Sequence, residues 1–240
     1  MKLMTTYRVK RATDPDDLAR KASDFIASQI SLTLDQRERC QIALSGGSTP
    51  ARAYALLGKE RLPWDRVDVM LGDERWVDAQ DSSSNARMLR TTLLAAEPGS
   101  RASFHAVPTV ELANAEESAD AFGLSVSELC EGEPPIFDLM LLGLGDDGHT
   151  ASLFPGTEAA KITDRWATVG RGKGLDRITL TAPVLSAARQ VVFLVSGAAK
   201  QVALKRLLDP DESPDRTPAK LVRSAQEIVV LADADASSNL

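Results

Sequence analysis

The chain has few of the residues that build metal centres, disulfide frameworks and membrane spans. Of its 240 residues two are cysteines and two are histidines, and neither Cys40 nor Cys130 stands in a C-x-x-C or similar metal-binding spacing. Two widely separated cysteines make no disulfide framework and favour a reducing compartment. No stretch approaches the ~20 apolar residues of a membrane helix, and the first residues lack the apolar core of a signal peptide. We therefore expect a cytoplasmic protein without a bound metal.

An excess of positive charge is also missing. The chain has 28 basic and 34 acidic residues and a formal net charge of -6, so it has no general attraction to nucleic acid or anionic lipid. Hydrophobic residues make up 43% and charged residues 26%, which is ordinary for a globular protein with a sizeable core. We expect a small-molecule ligand bound in a local pocket, no nucleic-acid or membrane partner, and a monomer or weak homo-oligomer.

Strand-like and helix-like segments alternate along the chain. A helix is predicted to begin at Asp14-Pro15, because aspartate caps helices and proline suits the first helical position. Phe137–Leu142 predicts a central parallel strand, since both of its faces are apolar. The alternation predicts an α/β fold, a single three-layer domain over residues 1–240 with a mostly parallel, Rossmann-like sheet flanked by helices. The other predicted strands are Gln41–Ser45, Val67–Gly72, Phe104–Val107, Arg177–Thr181, Val191–Ser196 and Ile228–Leu231, and the other predicted helices end near Leu57 and Leu94 or span Asn114–Glu131 and Gly197–Leu208.

Two polar segments late in the chain are expected to contribute little to the core. The stretch Asp209–Pro218 (DPDESPDRTP) has the composition of a surface loop. The tail DADASSNL has few apolar side chains to bury, so we expect it to be frayed.

In open parallel sheets, ligands bind beyond the carboxyl ends of the strands. The first of these ends carries Ser45, Gly46, Gly47, Ser48 and Thr49. The two glycines let the backbone approach a ligand closely, and free N–H groups at a helix start can hold a phosphate. The loop is not a Walker A motif, because no Gly-Lys-Ser/Thr follows. A tight turn with a serine or threonine cap remains the alternative.

Charged residues follow two further strands. Asp73, Glu74 and Arg75 come directly after Val67–Gly72, and although a charge run is usually a solvated surface, its place at a carboxyl strand end favours a functional role. Lys200 is predicted in the first turn of a helix, where the helix dipole disfavours a cation. An anionic ligand there would remove that conflict, whereas an ordinary surface lysine is the alternative.

The glycine-rich segment Gly143–Thr150 contains G-x-G-x-x-G by count. A dinucleotide fingerprint should open a helix and meet an acidic residue ~20 positions later, but a proline interrupts the helix almost at once and no suitable strand follows. His149 is the better candidate, for general acid–base catalysis. It lies beside Asp146 and Asp147, and a carboxylate can fix its tautomer and raise its pKa toward neutrality. His105 lies in an apolar segment and is expected to be a half-buried structural residue.

Six segments together resemble 6-phosphogluconolactonases: LSGGSTP, GDERWV, SSNARML, GLGDDGHTASLFPG, RITLT and SGAAK. The resemblance covers most of the chain. It implies hydrolysis of 6-phospho-D-glucono-1,5-lactone to 6-phosphogluconate in the oxidative pentose phosphate pathway, with no cofactor. It also implies that His149 is the catalytic histidine and that Asp73 and Arg75 match the aspartate and arginine of the GDER motif. Lys200 matches the lysine of the family's SGxxK motif, which the resemblance places beside the substrate phosphate, and Arg177 is carried over with it.

Glucosamine-6-phosphate deaminases are a sister family with a similar fold, glycine loop and Asp-Gly-His tripeptide. They have a tyrosine where this sequence has Arg75, and a glutamate five residues after the histidine, where this sequence has Phe154. The resemblance therefore favours the lactonase over the deaminase. A sugar-phosphate sensor without turnover is a third reading, but a sensor has no need to keep a proton-transfer group such as His149.

The residues also suggest a mechanism. No G-x-S-x-G elbow supplies a covalent nucleophile, so we expect water to attack the lactone carbonyl directly. His149 would take a proton from that water and return it to the ring oxygen, while Asp147 or Asp146 orients the imidazole. Arg75 or backbone N–H groups would stabilise the oxyanion, and Asp73 would hold a sugar hydroxyl.

Overall fold

The computed structural model describes residues 5–240, which form ten strands and seven α-helices. The strands are β1 (Tyr7–Ala12), β2 (Cys40–Leu44), β3 (Val67–Leu71), β4 (Asp73–Arg75), β5 (Ser103–Phe104), β6 (Leu139–Gly143), β7 (Ala167–Gly172), β8 (Leu175–Leu180), β9 (Gln190–Val195) and β10 (Ile228–Asp233). The helices are α1 (Pro15–Leu34), α2 (Ser48–Leu57), α3 (Asn85–Thr91), α4 (Ala115–Leu129), α5 (Ala182–Ala187), α6 (Gln201–Leu208) and α7 (Ala234–Ser237). Within residues 5–240, no helix combines the length and the apolar character that a bilayer span requires.

Seven strands form one parallel sheet in the order β1-β10-β9-β6-β2-β3-β5. The chain first moves outward from β2 through β3 to β5, and then returns to the other side of β2 as β6. The sheet therefore has a topological switch point between β2 and β6. At one edge of the sheet, the first described strand, β1, pairs with the last, β10, so that Tyr7 lies opposite Ile228. The predicted α/β fold, with a mostly parallel sheet flanked by helices, is confirmed.

A second sheet was not anticipated. β4, β8 and β7 form a three-stranded antiparallel sheet, in which Arg75 stands opposite Arg177. The predicted strand at Arg177–Thr181 is therefore β8 of this second sheet and not a member of the parallel sheet. The physical reason is a tight hairpin: β7 and β8 are joined by Lys173 and Gly174, both with positive φ, and so short a connection forces antiparallel pairing. β4 and β7 were missed as strands, because one is three residues long and the other is rich in polar and small residues.

The parallel strands and α1 supply much of the core. All residues of β2, β3 and β10 are buried, as expected for strands covered on both faces. The predicted start of α1 is confirmed: the Asp14 carboxylate accepts hydrogen bonds from the N–H groups of Asp16 and Asp17 at 2.9 and 2.8 Å. The buried face of the helix includes Leu18, Ala22, Ile26 and Ile30, which recur at helical spacing.

Asp209–Pro218 is a surface loop as predicted, with most of its residues exposed, whereas the tail is better ordered than its composition predicts. In the predicted surface loop, Thr217 is fully buried and its hydroxyl donates to the buried carboxylate of Glu212 at 2.8 Å. The expectation of a frayed tail is wrong, because Ala236 is buried in α7. Hydrogen bonds to the buried carboxylates of Glu212 and Asp233 hold these segments in place. Such hydrogen bonds cannot be predicted from the apolar content of a segment.

Candidate active site

A cavity of about 220 Å³ opens at the carboxyl ends of the strands beside the switch point. Ser45 and Gly46 follow β2 on one side of it, and Gly143 and Leu144 end β6 on the other, which is where α/β sheets bind ligands. The remaining lining residues are Asp73, Arg75, Asn85, Gly145, His149, Ala151, Lys173, Arg177 and Lys200. The structure thus brings residues from all four predicted strand ends to one cavity.

His149 and Asp147 form a hydrogen-bonded pair at the cavity. The Asp147 Oδ1 lies 2.5 Å from His149 Nδ1 and also accepts the backbone N–H of His149 at 3.0 Å. Asp146 instead points toward solvent, with its Oδ1 3.6 Å from Lys173 Nζ. Asp147 is therefore the carboxylate that orients the imidazole. Within residues 5–240, His149 Nε2 makes no hydrogen bond, so this nitrogen is available to a ligand.

A glycine makes this pair possible. A Cβ atom at Gly145 would lie 2.0 Å from His149 Nδ1 and 2.6 Å from Asp147 Oδ1. Any larger residue would displace the imidazole from its carboxylate. The Gly145 N–H also donates to the His149 carbonyl at 2.8 Å, so the loop folds back over its own histidine. Of the glycines in the false dinucleotide fingerprint, Gly145 is thus explained by the close approach of a side chain.

Burial lowers the pKa of His149 below its ordinary value, and this outweighs the opposite effect of the Asp147 carboxylate. The expectation that the neighbouring carboxylate raises this pKa was therefore wrong in net direction. Part of the burial comes from Phe154, whose ring centroid lies 4.5 Å from that of the imidazole. Burial raises the pKa of Asp147, but hydrogen bonds from His149 outweigh it and leave that pKa lowered. At neutral pH the site holds a neutral imidazole beside a carboxylate.

Asp73 lies in the wall of the cavity, where neighbouring side chains fix its position. Its Oδ2 accepts a hydrogen bond from the Ser152 hydroxyl at 2.6 Å and lies 3.9 Å from Arg177 Nη1. The Asn85 side chain donates to the Asp73 carbonyl at 2.8 Å. The side chain is 9% exposed, so it is fixed by its neighbours and not by solvent. Asp73 is therefore a preorganised acceptor in the wall of the site.

Two guanidinium groups share the cavity with this carboxylate. Arg75 donates through Nη1 to the carbonyl of Ser83, and Arg177 lies over the Phe154 ring at 5.6 Å. The Nε atoms of both arginines are buried and have no hydrogen-bond partner in the described chain. Burial lowers the pKa of Arg177 although Asp73 opposes this. Both arginines line the cavity, and a guanidinium group is well suited to bind an anionic ligand.

The glycine loop is divided between the cavity and α2. Ser45 and Gly46 line the cavity, whereas Gly47 precedes α2 and Ser48 and Thr49 form its first turn. The Ser45 hydroxyl is buried and has no partner within residues 5–240. Tyr54 fixes the loop from behind, donating to the Ser45 carbonyl at 2.9 Å and accepting its N–H at 3.1 Å. The loop thus offers a fixed backbone and one free hydroxyl.

Two lysines border the cavity. Lys200 closes a short 3₁₀ turn, Ala198–Lys200, and α6 begins only at Gln201, four residues later than the predicted start at Gly197. Lys173 was missed by sequence reasoning. It lies in the β7–β8 turn with φ 55°, in the left-handed region that favours glycine. The sequence signal was the RGKG turn, which is visible only once β7 is recognised as a strand.

Glu74 and Trp76, whose roles the sequence left open, are structural. The buried Glu74 carboxylate accepts hydrogen bonds from the N–H groups of Arg75, Asn85 and Ala86 at 2.7, 2.8 and 2.7 Å. It therefore ties β4 to the start of α3. The Trp76 indole N–H donates to the Ser118 hydroxyl at 3.1 Å, which links the small sheet to α4. The charge run after β3 combines two cavity residues with one internal brace.

His105, the other histidine, lies outside the cavity. Its Nε2 is 2.9 Å from Asp68 Oδ1, which also accepts a hydrogen bond from Arg39 Nη2 at 2.8 Å. The half-buried structural role expected for it agrees with this contact. Within residues 5–240, no three His, Cys, Asp or Glu side chains converge as a metal-ion ligand set would. The cavity thus combines the His149 imidazole with four cationic side chains and one carboxylate.

Comparison with known proteins identifies the family to which this chain belongs. A family model described as glucosamine-6-phosphate isomerases/6-phosphogluconolactonase matches residues 13–231. The chain belongs to this family. A 6-phosphogluconolactonase of Synechocystis is 40% identical over 226 residues, which cover 93% of this chain and 94% of the relative. One of Pseudomonas putida is 32% identical over 226 residues, with 90% of each chain covered.

Solved structures agree with this assignment. A 6-phosphogluconolactonase of Trypanosoma brucei superposes with a TM-score of 0.84 at 30% identity, covering 98% of both chains. One of Shewanella baltica gives a TM-score of 0.86 at 29% identity, covering 98% of this chain and 100% of its own. A monomeric glucosamine-6-phosphate deaminase shares the fold with a TM-score of 0.79 at 21% identity, covering 96% and 99%. The expected resemblance is confirmed, and the fold alone does not distinguish the two activities.

Proposed function

We propose that this protein hydrolyses 6-phospho-D-glucono-1,5-lactone to 6-phosphogluconate as a carboxylic-ester hydrolase of the oxidative pentose phosphate pathway. The observation that carries the proposal is the His149–Asp147 pair, joined at 2.5 Å and lining a cavity with four cationic side chains. The relatives named 6-phosphogluconolactonase support the same activity. A neutral imidazole can serve as a base, and the cations suit a phosphorylated substrate.

In the proposed reaction His149 handles one proton twice. Its Nε2 takes a proton from water as the water oxygen bonds to C1 of the lactone, which makes a tetrahedral oxyanion and an imidazolium. When the oxyanion collapses, the bond from C1 to the ring oxygen breaks, and the imidazolium returns the proton to that oxygen. The products are the ring-opened hydroxyl and a carboxylic acid, which loses its proton to solvent. General acid–base catalysis of this kind contributes ~10²–10⁴-fold.

Asp147 and Asp73 hold the reacting groups in place. Asp147 keeps the imidazole in one tautomer, with Nδ1 protonated toward the carboxylate and Nε2 free. Arg75, or backbone N–H groups at the cavity rim, stabilises the oxyanion, because a preorganised donor is most effective where charge develops. Asp73 accepts a hydrogen bond from a sugar hydroxyl. Its link to Ser152 supports this role, since a fixed acceptor orients the ring without loss of entropy on binding.

The phosphate is held by a second set of groups in the same cavity. The backbone from Gly46 to Thr49 and the side chain of Lys200 are the groups proposed to bind it, together with Arg177. The free hydroxyl of Ser45 supports this, because it adds a donor that has no partner in the described chain. Lys173 adds a further cation. Fixing the phosphate dianion with these groups would hold C1 close to His149.

The deaminase and sensor alternatives have less support. The Phe154 ring lies against the His149 ring, with centroids 4.5 Å apart. The resemblance implies that a deaminase would have a glutamate at this position, which assists ring opening. A phenylalanine there removes water and supplies no second proton carrier. A sensor would bind 6-phosphogluconate without turnover, and the His149–Asp147 pair would then have no purpose.

The decisive test follows the lactone as it disappears. The substrate is generated in situ from glucose 6-phosphate at mildly acidic pH, where spontaneous hydrolysis is slow. Wild type should consume it far above background, His149→Ala should fall to near background, and the matched variant His105→Ala should retain the wild-type rate because His105 lies outside the cavity. Background consumption by wild type would reject the lactonase, and ammonia release from glucosamine 6-phosphate would then identify the deaminase.

A further inference from the structure

The carboxylate of Asp233, at the end of β10, is fully buried. It accepts hydrogen bonds from three donors: the Ser196 hydroxyl at 2.5 Å, the Gly197 N–H at 3.1 Å to each oxygen, and the Ala236 N–H at 2.8 Å. All three partners are neutral. A buried carboxylate with only neutral donors costs free energy unless its hydrogen bonds are well made, so this contact set calls for an explanation.

Two of the three donors belong to the turn that leads to Lys200. Gly197 has φ 93°, in the left-handed region that favours glycine, and its carbonyl accepts the Lys200 N–H at 3.0 Å. The conformation of Gly197 therefore sets where the Lys200 backbone lies. Because Asp233 holds the N–H of Gly197 and the hydroxyl of Ser196, it fixes this conformation from behind the cavity.

The residue after Lys200 is tied to the same end of the chain. Gln201 donates through Nε2 to the carbonyl of Asp235 at 2.8 Å, and its Oε1 accepts from the Asn239 amide at 2.6 Å. Lys200 is thus held on both sides by the segment from Asp233 to Asn239. The cavity residue itself makes no ion pair within residues 5–240, so its position comes from the backbone around it.

Capping α7 does not account for the whole arrangement. Asp14 shows what a capping aspartate does in this chain: it accepts N–H groups from the first turn of its own helix and the adjacent Thr13 hydroxyl. Asp233 caps α7 through Ala236 and in addition holds a turn from a different part of the sheet. Those additional bonds reach 36 and 37 residues back along the chain.

We propose that Asp233 is a positioning residue for Lys200, which it places to receive the phosphate of the substrate. This rests on the proposed function. The carboxylate touches no substrate atom; it acts by holding Ser196 and Gly197 so that the Lys200 side chain reaches the cavity. Supporting residues of this kind determine how well a binding group is preorganised.

Asp233→Asn tests the inference with little change in volume. Asparagine caps helices about as well as aspartate, so its Oδ1 should keep the Ala236 N–H and the cap of α7. The new amide N–H₂ takes the place of Oδ2 and can accept neither the Ser196 hydroxyl nor the second contact of the Gly197 N–H. We expect KM for the phosphorylated lactone to rise by about tenfold, the size of one lost hydrogen bond to a charged group, with kcat within about twofold. Ser196→Ala should move KM in the same direction by less, and Asp14→Asn, the matched cap variant, should change neither constant.

Inorganic phosphate separates this inference from the proposed activity. It should inhibit wild type competitively, and its inhibition constant should rise in Asp233→Asn by the same factor as KM. An unchanged KM in a folded Asp233→Asn protein would overturn the inference, as would a fall in kcat without a change in KM. If wild type shows no lactonase activity, calorimetric binding of phosphate decides: weaker binding in the variant upholds the positioning role, and equal or absent binding rejects it.

Discussion

The Phe154 ring lies against the His149 imidazole, with centroids 4.5 Å apart and planes inclined by 39°. This contact removes water from one face of the imidazole. It is part of the reason that burial, and not the neighbouring carboxylate, sets the direction in which the pKa of His149 departs from 6.5. The same ring supports Arg177 at 5.6 Å, so one apolar side chain shapes both the proton carrier and a cation of the site.

Replacing this ring should change the pH dependence of the enzyme. In Phe154→Ala, water reaches the imidazole, and the pKa of His149 rises toward 6.5. Because the neutral imidazole is the base, activity is lost as the pH falls through this pKa. The acid limb of the profile of kcat/KM against pH should therefore lie at higher pH than in wild type. Phe154→Leu keeps an apolar cover and should move the limb less; an identical limb in all three proteins would contradict the burial argument.

The two aspartates of the histidine loop should differ sharply. Asp147→Asn replaces the carboxylate that stabilises the imidazolium, so we expect kcat to fall by ~10²-fold or more. Asp146→Asn removes the charge of a side chain that is 64% exposed and lies 3.6 Å from Lys173 Nζ, and kcat should stay close to that of wild type. Steady-state kinetics on the two variants measures this. Equal losses in both would show that the 2.5 Å contact to Asp147 is not what orients the base.

Lys200 and Lys173 should act on binding. Lys200→Met should raise KM by about 10- to 100-fold, since a hydrogen bond to a charged group contributes roughly 1.5–3 kcal/mol, with kcat little changed. Lys173→Met should also raise KM. Because the Lys173 cation lowers the pKa of His149, its removal should in addition move the acid limb to higher pH. The exposed Lys161 provides the control variant Lys161→Met. A normal KM in Lys200→Met would remove this lysine from the phosphate site.

Glu74 should matter for stability more than for the chemistry. Its carboxylate is buried and satisfies three backbone N–H groups and the Ser84 hydroxyl. Glu74→Ala leaves these donors without partners, so we expect a loss of about 2–4 kcal/mol in the free energy of unfolding. Urea denaturation measures this, with the exposed Glu158→Ala as a control expected within about 0.5 kcal/mol. Equal stability of the two variants would contradict the bracing role.

The elements that sequence predicted well are those whose signal is local. Asp14 caps α1, and the apolar runs of β2, β3, β6 and β10 appear as buried strands with ends within one or two residues of the prediction. The four strand ends also converge as the rule for parallel sheets requires, since carboxyl ends on either side of a switch point share one crevice. Periodicity and capping encode these features residue by residue.

What sequence missed depends on partners far along the chain. β4 is three residues long and exists because β8 pairs with it. Lys173 reaches the cavity only because β7 and β8 form a hairpin, and the tail is ordered because Asp233 bonds a turn 36 residues earlier. The direction in which the His149 pKa is shifted could not be predicted for the same reason. Phe154 and the walls of the cavity bury the ring, although its sequence neighbours are polar.

The pairing of β1 with β10, Tyr7 opposite Ile228, has a consequence for how the protein is made. Among the described strands, β1 leaves the ribosome first and its partner leaves last, so β1 waits through almost the whole of translation before it can pair. The turn that bears Lys200 likewise waits for Asp233. A nascent chain halted before β10 would carry His149 and Asp147 but present an open sheet edge to its neighbours. The sheet and the turn that positions Lys200 are therefore both completed only when β10 has been synthesised. Pairing of β10 is thus a late step on which the finished site depends.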